Sequence, residues 1–183
     1  MAIQKPVYST DLLLFKYNNN RLQIALIERK EPPFKGLYSL PGGIVFPNET
    51  TKQAVKRITK TKTTLDINLS DIEPLKLYNN PNRDPRDWTI TNTHILFQNP
   101  NNTPPFQSPI KWATITESEL LIDNQSISLA FDHRQIIADA LTQFRKWSFE
   151  NPKQLKLLGD TFTIPQAIQR LNHSRPLTRT QFM

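Results

Sequence analysis

The sequence has no cysteine and only four glycines in 183 residues. Without cysteine there is no disulfide framework, no thiolate zinc site and no cysteine nucleophile. No apolar run approaches the roughly 20 residues that a membrane-spanning helix needs, and the N-terminus lacks the hydrophobic stretch of a signal peptide. A cytoplasmic protein with no membrane partner is therefore expected. Acidic residues are the minority charge: 16 Asp and Glu against 23 Lys and Arg give a formal net charge of +7. That balance points to an anionic partner, but charge alone does not separate nucleic acid from nucleotide. The length allows one full domain with its own core and a small appendage.

Scarcity makes the glycines informative. Gly36, Gly42 and Gly43 fall within eight residues of one another, and Gly159 stands alone. A chain this sparing keeps glycine where the backbone needs a positive φ or the close approach of another group. Leu40-Pro41-Gly42-Gly43 is accordingly read as a sharp turn, and Gly159 as a boundary.

What is present reads as strands, a helix, strands and a second helix. Residues 10–17 form a mostly apolar strand, Asn18-Asn19-Asn20 is a turn tolerant of left-handed geometry, and residues 22–27 return as its hairpin partner. Short strands are expected at 37–40 and 44–46, on either side of the double glycine. From Thr50 the period changes: Thr51, Ala54, Val55 and Ile58 recur at helical spacing, with Lys52, Lys56, Arg57, Lys60 and Lys62 between them. Asn48 or Thr50 is the candidate N-cap. Lys52, Lys60 and Lys62 are read as a solvated face. Further strands are expected at 74–78, 88–97 and 111–115, the second carrying the alternating Thr89, Thr91 and Thr93. Residues 131–147 form the clearest helix, with Ile136, Ile137, Ala140, Leu141 and Phe144 on one stripe. The fold class is α+β, with one domain over residues 1–150. Residues 151–183 read as short helices, and 161–183 hold Arg170, Arg175 and Arg179 with no acidic residue. This pattern suits either the start of a helix-turn-helix or a helical arm that packs on the core.

The segment Leu40-Pro41-Gly42-Gly43, with Glu49 after five intervening residues and Arg57 after seven more, resembles the front half of the Nudix box. The back half departs from that pattern. Where the family carries three helix glutamates this chain has Ile58, Thr61 and Lys62, and the closing glycine is Thr64. The family's hydrolases hold Mg²⁺ on those carboxylates. The resemblance therefore implies a Nudix-like α/β/α sandwich of mixed sheet and helices with no catalytic residue, no metal site and no cofactor.

A second signature, Arg83-Asp84-Pro85-Arg86-Asp87-Trp88, is similar to the loop and strand of the Nudix-related transcriptional regulators of NAD metabolism, the NrtR family. Asp87 stands where that family has a glycine. Lys111-Trp112 and Phe131-Asp132-His133 also match in order. Residues 162–166 and 177–182 look like two helices of the family's winged helix, cut short because the sequence stops at Met183 within the second. The resemblance implies a homodimer that senses ADP-ribose or a related NAD metabolite and binds double-stranded DNA. Its ligand-binding candidates are Glu49, Arg57, Arg83, Arg86 and Trp88, where two loop arginines suit bidentate phosphate contact and an aromatic suits stacking on adenine. The DNA-binding candidates are Arg170, Arg175, Thr178, Arg179 and Gln181. Asp132 is expected as a helix cap and His133 as a structural histidine. Two alternatives stay open: a nucleotide-binding module without DNA, and a hydrolase recruiting Glu49 with Glu117 or Glu119.

Overall fold

A computed structural model describes residues 4–102, 110–147 and 151–167. A nine-stranded sheet lies between two helices. Strand β1 (Val7–Asn18) turns at Asn19 and Asn20, both with positive φ, into β2 (Arg21–Glu28), so that Asn18 faces Arg21. Two left-handed central residues define the hairpin turn whose twist matches its strands. Next come β3 (Tyr38–Ser39), β4 (Gly42–Ile44), α1 (Thr51–Thr63), β5 (Glu73–Tyr78), β6 (Thr89–Phe97), β7 (Ile110–Ile115), β8 (Leu120–Ile122), β9 (Gln125–Ser126) and α2 (His133–Lys146). The order is β5-β6-β1-β2-β7-β8-β9, with β1 and β6 parallel and the other pairs antiparallel. The α/β/α sandwich expected from the sequence is the fold observed.

Alternation along β1 sorts the core into two layers. Leu13, Phe15 and Tyr17 join Ile136, Ile137, Ala140 and Phe144 on the α2 side, while Leu12 and Leu14 join Val55, Leu65 and Ile72 on the α1 side. A capping box starts α1: Thr50 Oγ accepts from the Gln53 N–H, and Gln53 Oε1 accepts from the Thr50 N–H at 2.7 Å. Thr50, rather than Asn48, is the cap. The β8–β9 hairpin turns on Asp123 and Asn124, both at positive φ.

Beyond α2, Pro152–Leu158 forms a 3-10 segment capped by Asn151 and ended at Gly159, whose φ is +91°. Leu157 enters the α2-side core, Gln154 donates to the Phe144 carbonyl at 2.9 Å, and Lys153 pairs with Glu73. The segment that follows the expected boundary at residue 150 is thus docked on the domain before it. Thr163 and Gln166 exchange a reciprocal cap, and a helical turn follows. Arg170, Arg175, Thr178, Arg179 and Gln181 lie outside the described residues.

Candidate functional site

The sheet is split at its centre. Only the last residues of β1, from Phe15, pair with β2. Its earlier residues Ser9, Thr10 and Asp11 pair instead with β4, while Ile27 and Glu28 at the end of β2 pair with β3. The loop carrying Leu40-Pro41-Gly42-Gly43 fills the gap, and beside it opens a cleft of about 510 Å³. Four cations, Arg29, Lys62, Arg83 and Arg86, and three carboxylates, Asp11, Asp84 and Asp87, line it among the described residues.

Asp11 forms the floor. It is a carboxylate inside an apolar strand, 8% exposed, and it accepts a hydrogen bond from Thr91 Oγ1 at 2.8 Å. It also explains Gly42. A Cβ there would sit 2.0 Å from Asp11 Oδ1 and 2.9 Å from the Thr10 carbonyl oxygen, so the double glycine admits an approaching carboxylate rather than a positive φ. Beside Asp11, Arg83 is buried with its side chain 4% exposed, and it donates to both oxygens of Asp132 at 2.9 and 2.7 Å. The Asp132 side chain therefore ties the 79–87 loop to the start of α2, and it makes no cap bond, contrary to expectation. His133 is structural: its Nδ1 accepts from the Leu40 N–H at 2.9 Å, which leaves the proton on Nε2, facing Asp11 Oδ1 at 3.9 Å. Burial holds its pKa below the ordinary value, against the pull of Asp11.

Phe131 makes the wall. Segment 128–130 runs along β3, with Tyr38 N–H donating to the Ser128 carbonyl and Ala130 N–H to the Tyr38 carbonyl. It delivers Phe131 in a left-handed conformation, φ 56°, edge-on to Phe34, which has φ 65°. Such a backbone costs a bulky residue of order 1–3 kcal/mol and persists where surrounding structure demands it. Here the ring carries two guanidinium groups, Arg29 at 4.7 Å and Arg86 at 5.2 Å. Arg29 is fixed by the Pro33 carbonyl at 2.7 Å, and Arg86 by both oxygens of Asp84 at 2.9 and 2.6 Å. Burial opposes ionisation of Asp84, yet its hydrogen bonds from Arg86 prevail and hold the carboxyl below the usual range.

The box residues divide between two places. Glu49 accepts from Arg57 at 2.5 and 3.0 Å and from the Phe46 N–H at 2.7 Å. Arg57 also donates to the Ile44 carbonyl and stacks 4.0 Å over Phe46, so it braces the loop. These bonds, first the one from Arg57, lower the pKa of Glu49. Neither Arg57 nor Lys56, which pairs with Asp66 at 3.1 Å, lines the cleft. Lys62 does. It was expected on a solvated face, but it is half-buried and donates to the Gly42 carbonyl at 2.6 Å. Desolvation lowers its pKa; Asp11 acts in the opposite sense.

The residues present do not fit the Mg²⁺ of the Nudix box. At the three glutamate positions, Ile58 is buried against Gly43, Thr61 turns its hydroxyl back to the Arg57 carbonyl, and Lys62 presents an ammonium. Magnesium requires hard oxygen ligands. A divalent ion 4 Å from an ammonium is repelled by on the order of 8 kcal/mol at an effective dielectric near 20. Among the described residues no group of three or more His, Asp or Glu is placed to hold a metal ion.

Of the five ligand-binding candidates, the structure brings Arg83 and Arg86 into the cleft lining and leaves Glu49, Arg57 and Trp88 outside it. Trp88 is 37% exposed, its carbonyl accepting from the Val7 N–H. Glu117 and Glu119 sit on the β7–β8 turn, away from the cleft. Sequence reasoning passed over Asp11, Arg29 and Lys62. A lone acid among Leu12, Leu13 and Leu14 was the available signal for Asp11. For Lys62 it was its place at the last glutamate position of the box, and Arg29 carried no local signal.

The geometry defines a class: an α/β/α sandwich whose sheet parts around a glycine loop and helix to make a cationic cleft. The chain belongs to the Nudix family, because the sequence model of the NUDIX domain matches residues 10–140. It is 26% identical over 161 residues to an ADPR responsive transcriptional repressor, NtrR, of Acinetobacter baylyi, covering 88% of this chain. This chain spans 63% of that repressor's length. It is 36% identical over 135 residues to an ADP-ribose pyrophosphatase of Methanocaldococcus jannaschii, covering 73% of this chain and 72% of that enzyme. Among solved structures, Shewanella oneidensis NrtR complexed with a 27mer DNA superposes with a TM-score of 0.77 at 26% identity, covering 96% of this chain and 80% of that one. No helix among the described residues is long and apolar enough to cross a membrane.

Proposed function

We propose that this chain is a regulator of transcription in which the Nudix domain binds ADP-ribose, or a related NAD metabolite, without hydrolysing it. One observation carries the reading: the cleft is kept and lined with cations, while the three positions that would grip magnesium hold an isoleucine, a threonine and a lysine. Arg29 and Arg86, stacked on Phe131, supply planar donors suited to a diphosphate, and Arg83 holds the loop that carries Arg86. The Acinetobacter repressor and the DNA complex of the Shewanella protein support the regulatory role. A homodimer reads palindromic DNA through the basic Arg170, Arg175 and Arg179 together with the neutral polar Thr178 and Gln181, and ligand shifts the population toward a geometry that misplaces them. Gel shifts at low salt test this: binding that ADP-ribose weakens is the expected result, and no shift on any palindromic operator candidate sinks the DNA arm.

The 36% identity to an ADP-ribose pyrophosphatase favours a second reading, an active hydrolase. Incubation with ADP-ribose and Mg²⁺ or Mn²⁺ separates the two. Release of AMP and ribose 5-phosphate at enzymatic rates overturns the regulator without catalysis; intact ADP-ribose is expected.

A further inference from the structure

We propose that the ammonium of Lys62, held in the cleft by the Gly42 carbonyl, takes over the charge role of a divalent cation, so that this chain binds a diphosphate with no metal ion. The inference deepens the reading of the cleft as an ADP-ribose site and rests on it. Five cations punctuate α1, and four of them have other places. Lys56 pairs with Asp66, Arg57 pairs with Glu49, Lys52 reaches the Leu69 carbonyl and Lys60 is exposed. Lys62 alone among them lines the cleft.

Its nitrogen is a free donor centre. An ammonium has three N–H donors, and the bond to Gly42 uses one. Among the described residues no carboxylate lies within ion-pair distance of it. The nearby Asp11 bonds to Thr91 and faces Arg83 at 3.8 Å. Two donors therefore remain for phosphate oxygens, in surroundings dry enough to strengthen the contact. The Gly42 carbonyl fixes the head group before ligand arrives, which lowers the entropy lost on binding. Arg29 and Arg86 on the Phe131 ring close the other side of the same cleft. A diphosphate bound there meets fixed positive charge where a hydrolase offers a mobile ion.

Calorimetry with ADP-ribose and with inorganic pyrophosphate tests the inference, each in EDTA and in excess Mg²⁺. The wild-type protein is expected to bind both ligands in EDTA, with no gain on adding Mg²⁺. Lys62→Gln keeps a donor for Gly42 but removes the charge, and it is expected to lose about ten- to hundredfold in affinity for both, the worth of a charge-assisted hydrogen bond. Wild-type affinity that rises tenfold or more with Mg²⁺ overturns the inference, as does a folded Lys62→Gln protein that binds like wild type. The EDTA comparison needs no variant, so a misfolded Lys62→Gln protein leaves the test intact. If pyrophosphate binds in EDTA while ADP-ribose does not bind at all, the ADP-ribose reading falls and the Lys62 assignment stands. If neither ligand binds, both fall.

Discussion

The two ends of α1 carry the same kind of charge and meet different fates. At the start, Thr50 and Gln53 close a capping box, Glu49 locks onto Arg57, and Lys56 reaches an exposed Asp66. These contacts lie at the surface, where ion pairs contribute little and the chain gains mainly a braced loop. At the end, Lys62 passes beneath Gly42 into a cleft whose other charges belong to residues far away in sequence. The first half of the Nudix box thus serves to fold the loop and the second half to equip the site, and the two jobs separate. A chain loses the metal ligands without losing the loop, because Glu49, Arg57 and the Asp11–Gly42 contact hold it independently.

Breaking the buried charge network of the cleft sharpens that contrast most. Asp132→Ala takes both hydrogen-bond acceptors from Arg83, a cation with a 4% exposed side chain, and leaves it only Asp11 at 3.8 Å; the expected cost is about 2–3 kcal/mol in chemical denaturation. Lys56→Ala at the surface is expected to stay within about 0.5 kcal/mol. A similar loss in both variants would erase the distinction between the two ends.

The double glycine divides the same way. Gly42→Ala drives a Cβ into Asp11 and the Thr10 backbone and is expected to cost about 2–3 kcal/mol. Gly43→Ala meets only the movable tip of Ile58 at 3.3 Å and is expected to cost less than about 1 kcal/mol. Melting both variants side by side decides it; equal losses would place Asp11 elsewhere than over Gly42.

The smallest effect concerns His94, buried between β1 and the start of α1. Thr10 Oγ1 donates to the Asn92 carbonyl, so His94 Nδ1–H donates to Thr10 Oγ1 at 3.0 Å. Nε2 faces the Thr51 hydroxyl at 3.4 Å. Burial lowers its pKa to about 4. Since the unfolded chain titrates near 6.5, it binds the extra proton first, and stability falls as pH drops from about 6.5 toward 4. The loss from pH 7 to pH 5 is about 2 kcal/mol, expected as a steeper pH slope in wild type than in His94→Gln. Identical slopes would show that His94 ionises freely and that the start of α1 is wetter than its end.

Much of the fold was legible because the signals were short-range. Three asparagines announced the first hairpin, the change of period at Thr50 announced α1, and the stripe from Ile136 to Phe144 announced α2. The β8–β9 hairpin was missed although Asp123-Asn124 is a turn pair of the same left-handed kind, because strands of three and two residues leave no period to count. In the site, Arg83 and Arg86 were legible from their motif. Lys62 was read as solvated like Lys60 although it stands at the last glutamate position of the box, because helical spacing does not show which cation the fold turns into the cleft.

By itself the sequence determined the first hairpin, the two long helices, the capped start of α1 and the absence of carboxylates from the second half of the box. Those properties depend on residues a turn or two apart. The tertiary structure alone decided which cations leave water. Lys62 meets Gly42 across 20 residues and Arg83 meets Asp132 across 49, and a charge's surroundings are set by whatever the fold packs beside it.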